Sequence, residues 1–129
     1  MGLTPEEVFR PHRRRGKPER AVQKAVVLWL KAHGALVAVT DAGAAYKAGA
    51  FFGDAIPRGW PDITGLLPDG RFIGVECKSG PCPERGRRGG RQSKAQKRME
   101  REIRARGGLY ILARCVKDVA EGIADDDAD

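Results

Sequence analysis

A chain of 129 residues with 24 Lys or Arg against 17 Asp or Glu carries a formal charge of +7 at pH 7, and a hydrophobic share of 41% supports one domain around one core. No apolar run reaches the ~20 residues that span a bilayer and the basic N-terminus lacks the apolar stretch of a secretory signal, so a helical membrane protein is excluded and a cytoplasmic setting is expected. Cys77, Cys82 and Cys115 are odd in number and form no zinc spacing with His12 and His33, which argues for reduced thiols and against a structural zinc.

Residues 1–17 carry Pro5, Pro11 and an arginine run with little apolar periodicity, and read as a flexible basic arm. A helix is expected over 18–33, opened by Pro18 in its first turn and stopped by Gly34, with Val22, Val26, Trp29, Leu30 and His33 as its apolar stripe. Residues 36–40 read as a strand. Residues 41–59 are rich in Gly and Ala, with Tyr46, Phe51 and Phe52 among them, and read as a long loop. Those aromatics could stack on bases, although packing over the next element is the better use.

The next element carries the chemistry. Ile63-Thr64-Gly65-Leu66-Leu67 is an apolar run, Pro68-Asp69-Gly70 is a turn signal, and residues 71–78 resume a strand. Two strands joined by a tight turn run antiparallel, so Asp62, at the start of the first, should lie beside Glu76, near the end of the second. Alternation of faces puts Glu76 and Lys78 on one side and Ile73, Val75 and Cys77 on the other. The Asp62 and Glu76 carboxylates, with the Cys77 backbone carbonyl, form an oxygen donor set suited to a hard divalent cation such as Mg²⁺, and no organic cofactor is called for. The Lys78 ammonium beside them can orient, or help deprotonate, a water. A Glu and a Lys two apart on a strand also describe a solvated face, and Asp after Pro a turn; the hairpin spacing and the surrounding charge favour the site.

Residues 80–92 form a loop rich in Gly, Pro and Arg. Ser93-Lys94-Ala95-Gln96 then has the capping-box pattern of a helix start, and that helix should run to Arg106, ahead of Gly107-Gly108. Its apolar stripe is thin, Ala95, Met99 and Ile103, and its other faces are basic. A strand over 109–113 and a short helix over 116–123 precede an acidic tail, 125–129. The resulting order, α-β-β-β-α-β-α, is that of an α/β domain over 18–124 with a mixed sheet between helices on both faces, the basic helix crossing over to set the last strand beside the hairpin.

Charge is segregated along this order. Between Glu84 and Arg106 stand ten Lys or Arg against three Glu, and the cluster Arg10, Arg13, Arg14, Arg15, Lys17, Arg20 and Lys24 faces only Glu19. Basic segments on both sides of a carboxylate pair are the footprint of a protein that draws in a polyanion. The candidate contacts to such a ligand are Arg13, Arg14 and Arg15 in the arm, and Arg85, Arg87, Arg88, Arg91, Lys94 and Lys97 around the second helix.

Pro61-Asp62 followed by Glu76-x-Lys78 resembles the PD-(D/E)xK nuclease superfamily, and the flanking residues resemble its virus-type replication-repair nuclease (VRR-NUC) branch. Glu19 and Gln23 open the first helix, Gly59-Trp60-Pro61-Asp62 and Glu76-Cys77-Lys78-Ser79 frame the hairpin, and Ser93-x-x-Gln96 opens the basic helix; the likeness spans roughly residues 18–124. The resemblance implies a restriction-endonuclease-like fold and metal-dependent cleavage of DNA. Asp62 and Glu76 would bind Mg²⁺ or Mn²⁺, Lys78 would position the nucleophilic water, and Glu19 and Gln96 would support the site. It also implies a phage-type or bacterial enzyme acting as a homodimer, in some members on four-way junctions. The loop over 80–92 is longer and more basic than that pattern suggests and leaves substrate preference open. Glu19 and Gln96 have local explanations too, as a negative charge in a first helical turn and as a capping residue. Two other functions fit the same residues: a nucleic-acid-binding module with a vestigial metal site, and a sequence-specific restriction nuclease.

Overall fold

The computed structural model describes residues 17–40, 56–82 and 91–128, with the side chains of Lys17 and Pro18 outside that description. The arm with Arg13, Arg14 and Arg15, the aromatics Tyr46, Phe51 and Phe52, and the loop residues Arg85, Arg87 and Arg88 therefore lie outside the described residues.

Seven elements follow in the expected order: α1 (Lys17–Ala32), β1 (Leu36–Val39), β2 (Ile63–Leu66), β3 (Phe72–Cys77), α2 (Lys94–Ala105), β4 (Leu109–Ala113) and α3 (Val116–Asp127). The strands form one open mixed sheet in the order β1-β2-β3-β4. β1 pairs antiparallel with β2 and β2 with β3, whereas β3 and β4 are parallel neighbours joined through α2, as a parallel pair requires.

Strand alternation sorts the sheet into two faces. Val37, Ile63, Ile73, Val75, Cys77, Leu109, Ile111 and Ala113 share one face, where they pack with Val26 and Leu30 of α1 and Val119 of α3. Ile63, Ile73 and Val75 are wholly buried there, each contributing about 1.5–3 kcal/mol by its removal from water. Phe72, Gly74, Glu76 and Tyr110 point to the opposite face, which α2 covers beside β4 and where Pro61 lies against Gly74. β3 is thus covered on both sides, and every residue from Ile73 to Cys77 is buried.

Local signals account for the helix ends. At the close of α2 the Gly107 N–H donates to Arg104 O at 3.0 Å and the Gly108 N–H to Ile103 O at 3.0 Å, the paired bonds of a Schellman turn. That turn requires the left-handed φ of 82° at Gly107. α1 ends in the same bond pattern, from Gly34 to Lys31 and from Ala35 to Leu30. Because α1 stops at Ala32, His33 leaves the apolar stripe expected of it. It is exposed, with its ring stacked on Trp29 at a centroid distance of 3.9 Å.

Two expectations are corrected. Asp125, Asp126 and Asp127 belong to α3 rather than to a separate acidic tail. Arg71, just past the hairpin turn, bonds both Asp126 and Asp127, so the acidic end of the helix is clamped to the hairpin by opposite charge. Cys82 and Cys115, expected as free thiols, are disulfide-bonded, while Cys77 is free and buried. The parallel register Cys77↔Ala113 brings the exits of β3 and β4 to one end of the sheet, so cysteines 33 apart in sequence become neighbours. No helix among the described residues is long and apolar enough to cross a membrane.

Candidate metal centre

The β2–β3 register, Ile63↔Val75 through Leu66↔Phe72, sets Asp62 opposite Glu76 one pair beyond the ladder. Asp62 Oδ2 accepts the Cys77 N–H at 2.8 Å, which pins its carboxylate to β3. Glu76 is 5% exposed on the α2 side of the sheet. Glu19 is half-buried in the first turn of α1. Burial pushes the Cys77 thiol well above the usual cysteine range, and the charges of Asp62, Glu76 and Glu19 push it further in the same direction.

Gln96 connects this centre to α2. Its Nε2 donates to Glu76 Oε1 at 2.7 Å, and its Oε1 accepts from Lys78 Nζ at 3.2 Å. The same Oε1 accepts the Ser93 N–H at 3.0 Å, and the Gln96 N–H donates to Ser93 Oγ at 3.1 Å, which completes the capping box. One amide both starts the helix and orients the Glu76–Lys78 pair, whose Nζ–Oε1 separation is 3.9 Å. The capping and the supporting roles are compatible because Gln96 faces the carboxylates from the first turn of α2.

The approach to Asp62 is fixed by contacts that the sequence reading did not assign. The Thr40 N–H donates to Asp62 O at 2.7 Å, and Thr40 Oγ1 donates to Pro61 O at 3.1 Å. Gly59 has φ +81° and sits so close to α2 that a Cβ there would lie 2.2 Å from Ala95 O. Tyr110, buried on the same side of the sheet, has its phenol pushed up to about 12, chiefly by burial and then by the charges of Glu76, Glu100 and Asp62, against a lowering bond from Gln92. Gln92 Nε2 donates to Glu100 Oε1 at 3.1 Å and to Tyr110 Oη at 3.3 Å, which ties the end of the basic loop to α2 and β4. A threonine at a strand end and a glutamine in a loop carry no distinguishing pattern, so only the pairing of distant elements exposes them.

Arg91, Lys94 and Lys97 are exposed, as a contact to a polyanion requires. Arg98 and Arg101 extend the exposed basic surface of α2, whereas Arg104 and Arg106 are held by Glu100 and Glu102. Around Asp62 and Glu76 the charged donors are carboxylate oxygens, with Lys78 as the adjacent ammonium. That set fits a hard divalent cation, which would offset the repulsion among partly buried like charges. Among the described residues, the group of three metal-ligating side chains whose ligand atoms lie within 4.8 Å of one another is Cys82, Cys115 and Asp118. There both sulfurs are spent in the disulfide and Asp118 Oδ2 accepts the Arg114 N–H at 2.9 Å, so the group offers a cation no thiolate. No protein-family model, curated protein or solved structure matches the chain.

Proposed function

We propose that this protein is a divalent-metal-dependent DNA endonuclease with a restriction-endonuclease-like fold of the VRR-NUC kind. The observation that carries this reading is the meeting of Asp62, Glu76, Lys78 and Gln96 at the end of the β2–β3 pair, beside the N-terminus of a basic helix. The four-stranded mixed sheet flanked by helices is compatible with that fold.

In this reading Asp62 and Glu76, with the Cys77 carbonyl, hold Mg²⁺ or Mn²⁺, and Glu19 adds negative charge from α1. The bound cation supplies positive charge that makes a water more acidic and stabilises charge on the phosphoryl group under attack. Lys78 orients the attacking water and takes part in its proton transfer. Gln96 keeps Glu76 and Lys78 aligned without spending their charge, since an amide can donate to one and accept from the other. Arg91, Lys94 and Lys97 draw in the phosphate backbone, an attraction that weakens as salt rises. Cutting on two strands of a branched substrate suits a two-fold homodimer.

The test is nicking of supercoiled plasmid and of flap, fork and four-way-junction DNA with Mg²⁺ or Mn²⁺. Asp62→Ala and Lys78→Ala should abolish it. Undiminished cleavage by those variants places the chemistry elsewhere, and salt-sensitive binding with no cleavage under either metal favours a binding module. Discrete fragments in a limit digest would mark a sequence-specific enzyme, and a monomer in sedimentation with and without DNA removes the dimer.

A further inference from the structure

α2 reaches the carboxylates through Gln96, and a neighbouring face of the same helix lines a groove that the carboxylate chemistry does not use. Its apolar half is a cavity of about 380 Å³ walled by Pro57, Trp60, Phe72, Met99 and Ile103. That volume lies in the range of small-molecule sites. The other half, about 550 Å³, carries Arg58, Lys94 and Arg98. Pro57, Met99 and Glu102 line both halves, so the two adjoin. Glu102 is bonded to Arg106 Nη1 at 2.6 Å, and that bond holds its carboxyl below the usual range, so its charge is already answered within the groove wall.

The aromatic wall is fixed in position. Trp60 meets Phe72 edge to face, with centroids 6.0 Å apart and planes at 61°, and it stands two residues before Asp62. A flat apolar ligand attached to an anion would satisfy both halves at once. The strand entering a phosphodiesterase centre offers such a unit at every nucleotide.

We propose that this groove is a nucleotide subsite, in which a base unstacked from the strand packs against Trp60 and Met99 while its phosphate is held by Arg58, Lys94 and Arg98. The assignment rests on the nuclease reading and narrows its substrate class. A base within an intact duplex is stacked and paired, so entry costs least where nucleotides are already unpaired. Single strands, flaps and branch points are therefore the substrates that fill the groove, and continuous duplex leaves its apolar half empty.

Trp29 and Trp60 are the two tryptophans of the chain, so a Trp29→Phe background makes Trp60 the sole reporter. That protein, free of divalent metal, is titrated with oligothymidylate, with a blunt duplex of equal phosphate count and with heparin. Oligothymidylate should quench Trp60 saturably, and duplex and heparin should bind at low salt without quenching. Met99→Tyr, which fills the apolar half, should weaken oligothymidylate binding by about tenfold, within the range for losing one base–aromatic stack, and leave duplex binding unchanged. Replacing Arg58 and Arg98 together by Ala should weaken both nucleic acids and flatten their salt dependence. Absence of quenching, equal quenching by heparin, or an equal loss of duplex binding in Met99→Tyr overturns the subsite. Nicking under Mg²⁺ without Trp60 quenching rejects the subsite and leaves the nuclease intact; quenching without nicking under either metal supports the subsite and rejects the nuclease.

Discussion

Gln96 Nε2 donates to Glu76 Oε1 across 2.7 Å, which joins the first turn of a basic helix to a carboxylate buried in the central strand pair. The contact couples folding to chemistry, because the same side chain caps α2. Gln96→Ala should therefore cost about 1 kcal/mol of stability. It should also lower metal-dependent nicking by about 10–100-fold, as loss of a partner that orients a metal ligand does. Gln96→Glu keeps the capping bond but sets a second carboxylate against the buried Glu76, so in metal-free buffer it should lose stability as well as nicking, as urea unfolding and plasmid nicking would measure.

Glu76 lies opposite Asp62 at the end of the β2–β3 pair, so two carboxylates meet there. Saturating Mg²⁺ should raise the stability of the unsubstituted protein, by about 2–3 kcal/mol at a hundredfold excess over its dissociation constant. Glu76→Gln should lose that rise while remaining at least as stable in metal-free buffer. Thermal unfolding with and without Mg²⁺ checks this, and an unchanged rise in the variant would place the cation at another site.

Gly59 combines a left-handed φ with a backbone neighbour at 2.2 Å from any Cβ. Gly59→Ala should destabilise the fold by about 1–3 kcal/mol. It should also reduce nicking, because the segment leading to Asp62 must lift off α2. Urea unfolding and nicking assays on this variant should move together; normal values in both would mean that the close approach is dispensable.

The Asp69–Arg71 pair sets an expectation for acid stability. The Arg71 N–H holds the exposed Asp69 carboxyl below its ordinary value; desolvation opposes it, and the Arg71 guanidinium adds a lesser lowering. A depressed folded value means that the contribution is complete above the ordinary aspartate range and is lost as pH falls through the lowered value. Arg71→Met keeps the backbone N–H, removes the guanidinium's share of the effect, and also frees Asp126 and Asp127 at the end of α3. Urea midpoints followed from neutral to strongly acid pH should show a shallower acid limb in the variant than in the parent.

Cys77 is 1% exposed, and burial together with three nearby carboxylates disfavours its thiolate. A thiol-specific alkylating reagent at mildly alkaline pH should leave it unmodified in the native protein and label it after unfolding. Rapid native labelling would show that this end of β3 opens easily.

Much of the fold was legible in the residues themselves. The turn signal at Pro68-Asp69-Gly70, the alternation through β3, the capping box at Ser93 and the glycines after each of the first two helices are local and periodic features, and such features need only neighbours in sequence. The hairpin likewise placed Asp62 opposite Glu76, since antiparallel register follows from the turn. Tertiary structure decided the rest. The capping of α2 by Gln96 could be read from four residues, but its hold on Glu76 and Lys78 depends on how a helix packs across a sheet. The Cys82–Cys115 bond and the clamp of Arg71 on α3 depend on parallel strands and helix docking that bring residues 33 and more apart to one place. Local periodicity reports which face a residue occupies; only packing between elements decides what it meets there.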